Sequence, residues 1–261
     1  MKVAIVIPAY NEERRIGNKL DSYSKYLEEF RKKEKMDYKI LIAVNNTKDR
    51  TVEIIKSYKR KNKRIDYIDL PDGGKGYAII EGFKLMVKED FDLIGFVDSD
   101  KSTSPEAYCD LIKNIKGDYG ILASRYVPHA IVKTKQSFER IVVSRLGNIL
   151  IRTLFAFNYR DTQCGAKLFK KEAIEKVLPN LTLTRWAFDI DLLYQLKKER
   201  FKVVEFPTMW EDDLDSKLNV KKATIQVFFA AIKLRLMNSP LRRITEKVLG
   251  PVGGMVWRLL R

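Results

Sequence analysis

The sequence predicts an α/β fold: a parallel sheet in a doubly wound layout with helices on both faces. Three observations predict it. Apolar runs rich in β-branched residues recur along the first half of the chain, as buried parallel strands require. Segments of helical periodicity alternate with them. Polar residues gather just past four of these runs, at Tyr10 and Glu12, Asn45 and Asn46, Asp98 and Asp100, and Ser124 and Arg125. Ligands bind beyond the C-terminal strand ends in such sheets, so four polar ends imply one shared site.

The elements follow in order. Residues 3–7 form the first strand, and Pro8 ends it. A helical pattern covers 13–30, a second strand 39–44, a helix 51–58 and a third strand 64–70. Asp72-Gly-Gly-Lys-Gly76 is a loop opening a helix at 77–87. A fourth strand at 92–97, a helix at 105–115 and a fifth strand at 119–123 complete the regular part. Beyond Arg125 the pattern changes to a basic loop at 127–135 and a long helix at 138–157. A short strand at 166–169, helices at 171–177 and 187–199, and a last strand at 202–206 follow. The tail is largely helical, with breaks at Ser239-Pro240 and around 250–254. The domain expectation is therefore 1–216 for the α/β domain and 217–261 for amphipathic C-terminal helices.

Composition bounds the function. The chain has 261 residues and a net charge of +16, which calls for a negatively charged partner. Two cysteines do not make a disulfide scaffold and read as thiols in a reducing compartment. The single histidine, His129, excludes His-rich zinc sites and argues against a Ser-His-Asp triad. The apolar run after Lys2 is too short for a signal peptide, and no stretch reaches the roughly 18 apolar residues of a membrane span. A nucleic-acid module fits the charge, but no binding motif is present, and paired acids at strand ends repel phosphate without a metal.

Asp98-Ser-Asp100 is the sharpest chemical feature. Two carboxylates just past a buried strand can converge on a hard divalent cation, which would bridge diphosphate oxygens. Asp and Ser also make ordinary solvated turns. The loop around Lys75 has glycines for close backbone approach and a helix N-terminus for an anion, but lacks the Walker A spacing. Taken alone, it reads equally well as a plain turn.

Val6-Ile-Pro-Ala-Tyr-Asn-Glu-Glu13, the Lys75 loop and Asp98-Ser-Asp100, in that order, resemble family 2 glycosyltransferases. Downstream, Asp161-Thr-Gln-Cys-Gly-Ala-Lys-Leu-Phe169, Arg185-Trp-Ala-Phe-Asp189, Leu192-Leu-Tyr194 and the stretch from Trp210 to Lys217 resemble the dolichyl-phosphate β-glucosyltransferase branch, which is related to the dolichyl-phosphate mannose synthases. The resemblance covers residues 1–217. It implies a GT-A (nucleotide-diphospho-sugar transferase, Rossmann-like) fold, Mg²⁺ or Mn²⁺, and inversion at the anomeric carbon. By position, it assigns Pro8, Ala9, Tyr10 and Glu12 to the base and ribose, with Lys75 also on the donor side, and Asp98 and Asp100 to metal and diphosphate. Asn45 and Asn46 stand where the family often has acids, which leaves the nucleotide open. Ser102 replaces a Gln that can ligate metal in mannose synthases.

The resemblance also assigns Arg125, Arg140 and Ser144 to the acceptor phosphate. Arg offers phosphate a planar fork, and Arg140 and Ser144 share a helix face, although two surface residues on an amphipathic helix would look the same. Asp161 and Asp189 are candidates for a base or an orienting role, and Asp189 also reads as a helix cap. A phosphate acceptor is already largely dianionic at neutral pH, so a strong base is less necessary. The donor sugar is open, with UDP-glucose favoured over GDP-mannose or UDP-GlcNAc, and a glycan acceptor is the alternative.

The tail points to a membrane on its own. Residues 217–261 carry ten Lys or Arg against one acid, Glu246, interleaved with Phe228, Phe229, Leu234, Leu236 and Trp257. Such a helix suits an anionic lipid interface; equally, its apolar stripe could pack on the core. The expected location is peripheral, at the cytoplasmic face of a membrane.

Overall fold

A computed structural model describes residues 1–133, 138–182, 185, 187–211 and 220–239, the side chains of 138–144 and 220–226 excepted. The chain forms two compact units, 1–136 with 159–216, and 137–158 with 217–261.

The first unit is a seven-stranded sheet in the order β3-β2-β1-β4-β7-β5-β8. Its strands are β1 (Lys2–Ala9), β2 (Asp37–Asn45), β3 (Ile65–Leu70), β4 (Leu93–Val97), β5 (Gly120–Ser124), β7 (Ala166–Lys170) and β8 (Val203–Pro207). The central strands β1, β2 and β4 are buried almost throughout, which is why their sequences are continuous apolar runs. The edge strand β3 is only half buried and tolerates Asp66 and Asp69. Helices α1 (Ile16–Glu34), α2 (Thr51–Lys61) and α4 (Pro105–Asn114) cover one face, while α3 (Lys75–Met86), α6 (Lys171–Val177) and α7 (Phe188–Lys198) cover the other.

The strands and helices predicted within the described residues form, but the sheet is not wholly parallel. β7 runs antiparallel to both β4 and β5, between which it is inserted. Gly95 permits that pairing: a Cβ there would lie 2.3 Å from the Lys167 carbonyl oxygen and 2.4 Å from the Tyr108 hydroxyl. β7 therefore delivers the 161–167 segment to the C-terminal end of β4, beside Asp98.

Two short strands, β6 (Ile131–Val132) and β9 (Met209–Trp210), pair in parallel past the end of the sheet. The 208–211 segment is a strap. Thr208 N donates to Ser124 O (3.2 Å), Glu211 N to Ser102 O (3.2 Å), and Lys133 N to Trp210 O (2.9 Å).

In the second unit, α5 (Phe138–Phe155) packs against α8 (Val220–Met237). Leu146, Ile149, Leu150 and Phe229 stay exposed there, while Val227, Ala231 and Leu234 are buried. Among the described residues no helix is long and apolar enough to cross a membrane. The expected helix breaks at Pro240 and 250–254 lie outside the described residues.

Candidate active site

The site grows from the ends of β1, β2 and β4. At the end of β1, Ala9 O accepts a bond from Asn45 Nδ2 (3.0 Å), and Asn45 Oδ1 accepts one from Gly74 N (3.0 Å). Asn45 is thus a buried clamp between the β1 end and the Lys75 loop. Asn46 adopts a left-handed backbone (φ 49°) and donates its N–H to Leu70 O (2.9 Å). Pro8 is buried near the end of β1, and Tyr10 beyond it is 55% exposed, which leaves an aromatic face free at the rim.

Glu12 is buried and engaged. Arg15 grips it through Nε (2.7 Å) and Nη2 (2.8 Å), and Ser99 Oγ donates to its Oε1 (2.9 Å). Glu12 thereby fastens the Asp98-Ser-Asp100 loop to the first strand end.

Gly74 (φ 143°) occupies a backbone conformation that a side chain would strain, and it opens α3 with Lys75 as the first helical residue. Lys75 Nζ lies 2.7 Å from Asp98 Oδ1 and 3.7 Å from Asp189 Oδ2. Burial alone would lower the pKa of this lysine, but the charges of Asp98 and Asp189 outweigh it and raise the value. Lys167, fully buried on β7, ion-pairs with Asp189 Oδ1 and donates to Cys164 O (2.7 Å). Two aspartates and two lysines thus alternate as Asp98, Lys75, Asp189 and Lys167, with both ammonium groups over the Phe96 ring (5.6 and 5.3 Å). Asp189 sits in the first turn of α7, after Ala187 at the cap position, so its carboxylate serves this cluster and does not cap the helix.

Asp98 Oδ1 is buried and meets Lys75 Nζ at 2.7 Å, and it has no second partner among the described residues. Burial raises the Asp98 carboxyl above its ordinary range against the pull of Lys75. A buried carboxylate oxygen with a single cationic partner, two residues from Asp100, fits a hard divalent cation. Among the described residues no three His, Cys, Asp or Glu converge as a metal cage. The two carboxylates would need donor oxygens to complete such a site.

Asp161 is locked to Arg125 by a two-point fork: Nε to Oδ2 at 2.7 Å and Nη2 to Oδ1 at 2.9 Å. Burial would raise the Asp161 pKa, but the guanidinium outweighs it and lowers it. Glu205 fixes the turn from below by accepting from Arg160 N (2.7 Å) and Asp161 N (2.9 Å). Arg125 also lies over the Tyr126 and Trp210 rings, at 5.2 and 5.1 Å. Arg140 and Ser144 lie on α5 in the second unit, with side chains outside those described.

The sequence reading missed Lys19, Lys167, Glu205 and Gly165. Lys19 had a visible signal: it falls on the stripe Ile16, Leu20, Tyr23, Leu27 and Phe30 that α1 buries. Its Nζ donates to Asp100 O (2.8 Å) and Thr103 O (3.2 Å), and burial lowers its pKa to about 8.

Comparison with known proteins agrees with this geometry. The glycosyl transferase family 2 model matches residues 4–178. The dolichyl-phosphate beta-glucosyltransferase of Dictyostelium discoideum is 32% identical over 244 residues, covering 89% of this chain and 73% of that protein. The human protein of that name is 28% identical, covering 83% of this chain and 69% of its own length. Among solved structures, glucosyl-3-phosphoglycerate synthase from Mycobacterium tuberculosis, with Mn²⁺, UDP and phosphoglyceric acid bound, superposes with a TM-score of 0.68 at 14% identity. It covers 92% of this chain and 80% of that one. Mannosyl-3-phosphoglycerate synthase from Rubrobacter xylanophilus gives 0.66 at 16% identity, covering 90% and 74%. The fold is GT-A. The chain is a glycosyltransferase and belongs to glycosyl transferase family 2.

Proposed function

We propose that this chain transfers a hexose from a nucleotide sugar, UDP-glucose being the favoured donor, to dolichyl or another polyprenyl phosphate at a membrane surface. One observation carries the choice of acceptor. Asp161 is tied to Arg125, and Asp189 to Lys75 and Lys167, so neither is free to serve as a base. A sugar hydroxyl needs a base, whereas a phosphate monoester arrives already ionised. The relatives' names agree with that acceptor.

Each residue then has a part. Tyr10 offers its exposed ring to the base, with Pro8 and Ala9 shaping that edge. Lys75 and the N-terminus of α3 face the donor phosphates. Asp98 and Asp100 hold Mg²⁺ or Mn²⁺, which when bound neutralises charge on the departing diphosphate. Asp161 orients Arg125, whose Nη1 stays outside the fork and is the edge proposed to meet the acceptor phosphate. Arg140 and Ser144 are carried over from the resemblance as acceptor-phosphate residues. Catalysis rests on in-line orientation and electrostatics. The exposed leucines and isoleucine of α5, Phe229, and the basic tail support contact with the cytoplasmic face of a membrane.

The test is a panel of radiolabelled UDP- and GDP-sugars offered with dolichyl phosphate and Mn²⁺, followed by organic extraction. Label in the organic phase with one donor is the expected result. Label transferred only to added glycans would overturn the acceptor.

A further inference from the structure

We infer that Lys19 is a positioning residue for the Asp98-Ser-Asp100 loop, holding its backbone from beneath so that the two carboxylates are preset for a divalent cation and diphosphate. The inference rests on the reading of those carboxylates given above.

A buried lysine is costly unless something compensates its charge. Lys19 is 4% exposed and makes no ion pair among the described residues. Its ammonium is spent on main-chain carbonyls of one loop, Asp100 O at 2.8 Å and Thr103 O at 3.2 Å. Tyr23, one turn further along α1, extends the same grip through its hydroxyl to Thr103 O (3.1 Å), and Lys19 Nζ lies 4.5 Å from the Tyr23 ring centroid. The rest of the loop is stitched from other sides: Asp98 N donates to Gly165 O, Ser99 Oγ to Glu12, Ser102 N to Asp100 Oδ1, and Glu211 N to Ser102 O.

The choice of partner is the informative point. Lys19 bonds the backbone of Asp100 and takes neither oxygen of its carboxylate. Lys75, by contrast, pairs with the Asp98 carboxylate itself. A cation that fixes the loop through carbonyls leaves the Asp100 carboxylate to a metal, and charged donors make the stronger hydrogen bonds for that purpose. Meanwhile its charge offsets the field of Asp100, Asp98 and Glu12, the acids that surround it.

The test uses the full chain with Lys19→Met, similar in length and apolar, and Lys19→Gln, which keeps a neutral donor. Three quantities are read: the Kd of Mn²⁺·UDP by titration, amide hydrogen exchange at residues 99–103 without metal, and KM and kcat. Outer-shell partners typically contribute 10–100-fold to metal affinity, so Lys19→Met should weaken Mn²⁺·UDP binding by about tenfold or more. Exchange at 99–103 should quicken, kcat should fall, and Lys19→Gln should recover part of each. A Kd within about twofold of the parent in both variants would overturn the inference, even if stability changed. If Lys19→Met does not fold, Lys19→Gln decides by the same criterion. A parent chain that binds no Mn²⁺·UDP would instead sink the metal site itself, and this inference with it.

Discussion

Gly165 and Asp98 lie so close that a Cβ on Gly165 would stand 2.0 Å from Asp98 Oδ2 and 2.4 Å from its Cγ. The Asp98 backbone N–H also donates to Gly165 O at 2.9 Å. A residue on the antiparallel β7 side of the sheet thus sets where the first carboxylate of Asp98-Ser-Asp100 can sit.

Gly165→Ala should therefore push Asp98 aside without emptying any part of the core. The expected outcome is a folded protein whose turnover falls by about 100-fold, the scale on which a misplacement of about 1 Å acts. Circular dichroism and transfer assays on the same sample would check both halves. Unchanged turnover would show that Asp98 need not hold this position.

The Arg125–Asp161 pair should contribute to stability in a pH-dependent way. Asp161 has a lowered pKa in the folded chain. Its contribution is fully present above the ordinary carboxyl pKa of about 4 and is lost as pH falls through the depressed value. Asp161→Asn leaves a buried guanidinium without its counter-charge, a loss on the order of 3–5 kcal/mol near neutral pH. Urea unfolding at pH 7, 5 and 3 should show a wide, equal gap between parent and variant at the first two values and a narrower one at the last, below the ordinary carboxyl pKa. A constant gap across the range would contradict this.

Membrane contact is tested by flotation with vesicles. The chain should float with vesicles containing phosphatidylserine, less so with neutral ones, and less as salt rises. Replacing Leu146, Ile149 and Leu150 together with Ser should reduce flotation several-fold, because each exposed apolar group contributes to burial in the interface. Equal flotation by this variant would place the contact elsewhere.

Much of the scaffold was readable because its signals are local. The runs at β1, β2 and β4 are apolar on both faces, and the polar residues that end them follow directly in sequence. The antiparallel insertion of β7 was not readable. Its run, Ala-Lys-Leu-Phe-Lys, says nothing about which strands it enters, and that choice depends on Gly95, far away in sequence. Nothing local marks Lys167 as buried: it is fully buried because Asp189, on a later helix, supplies its charge partner. Arg125 and Asp161 were each singled out as candidates, but their union needed the turn that Glu205 holds. Glu205 itself had no signal beyond an acid in a strand.

The central claim is metal-assisted transfer to a lipid phosphate through Asp98 and Asp100. The most direct measurement is transfer of labelled glucose from UDP-glucose to dolichyl phosphate by the parent chain, by the same chain after EDTA, after Mn²⁺ is restored, and by Asp100→Ala. The account predicts organic-phase label from the parent, none after EDTA, recovery with Mn²⁺, and no recovery in Asp100→Ala at any Mn²⁺ concentration that saturates the parent. Undiminished transfer after EDTA, or by Asp100→Ala, would contradict it.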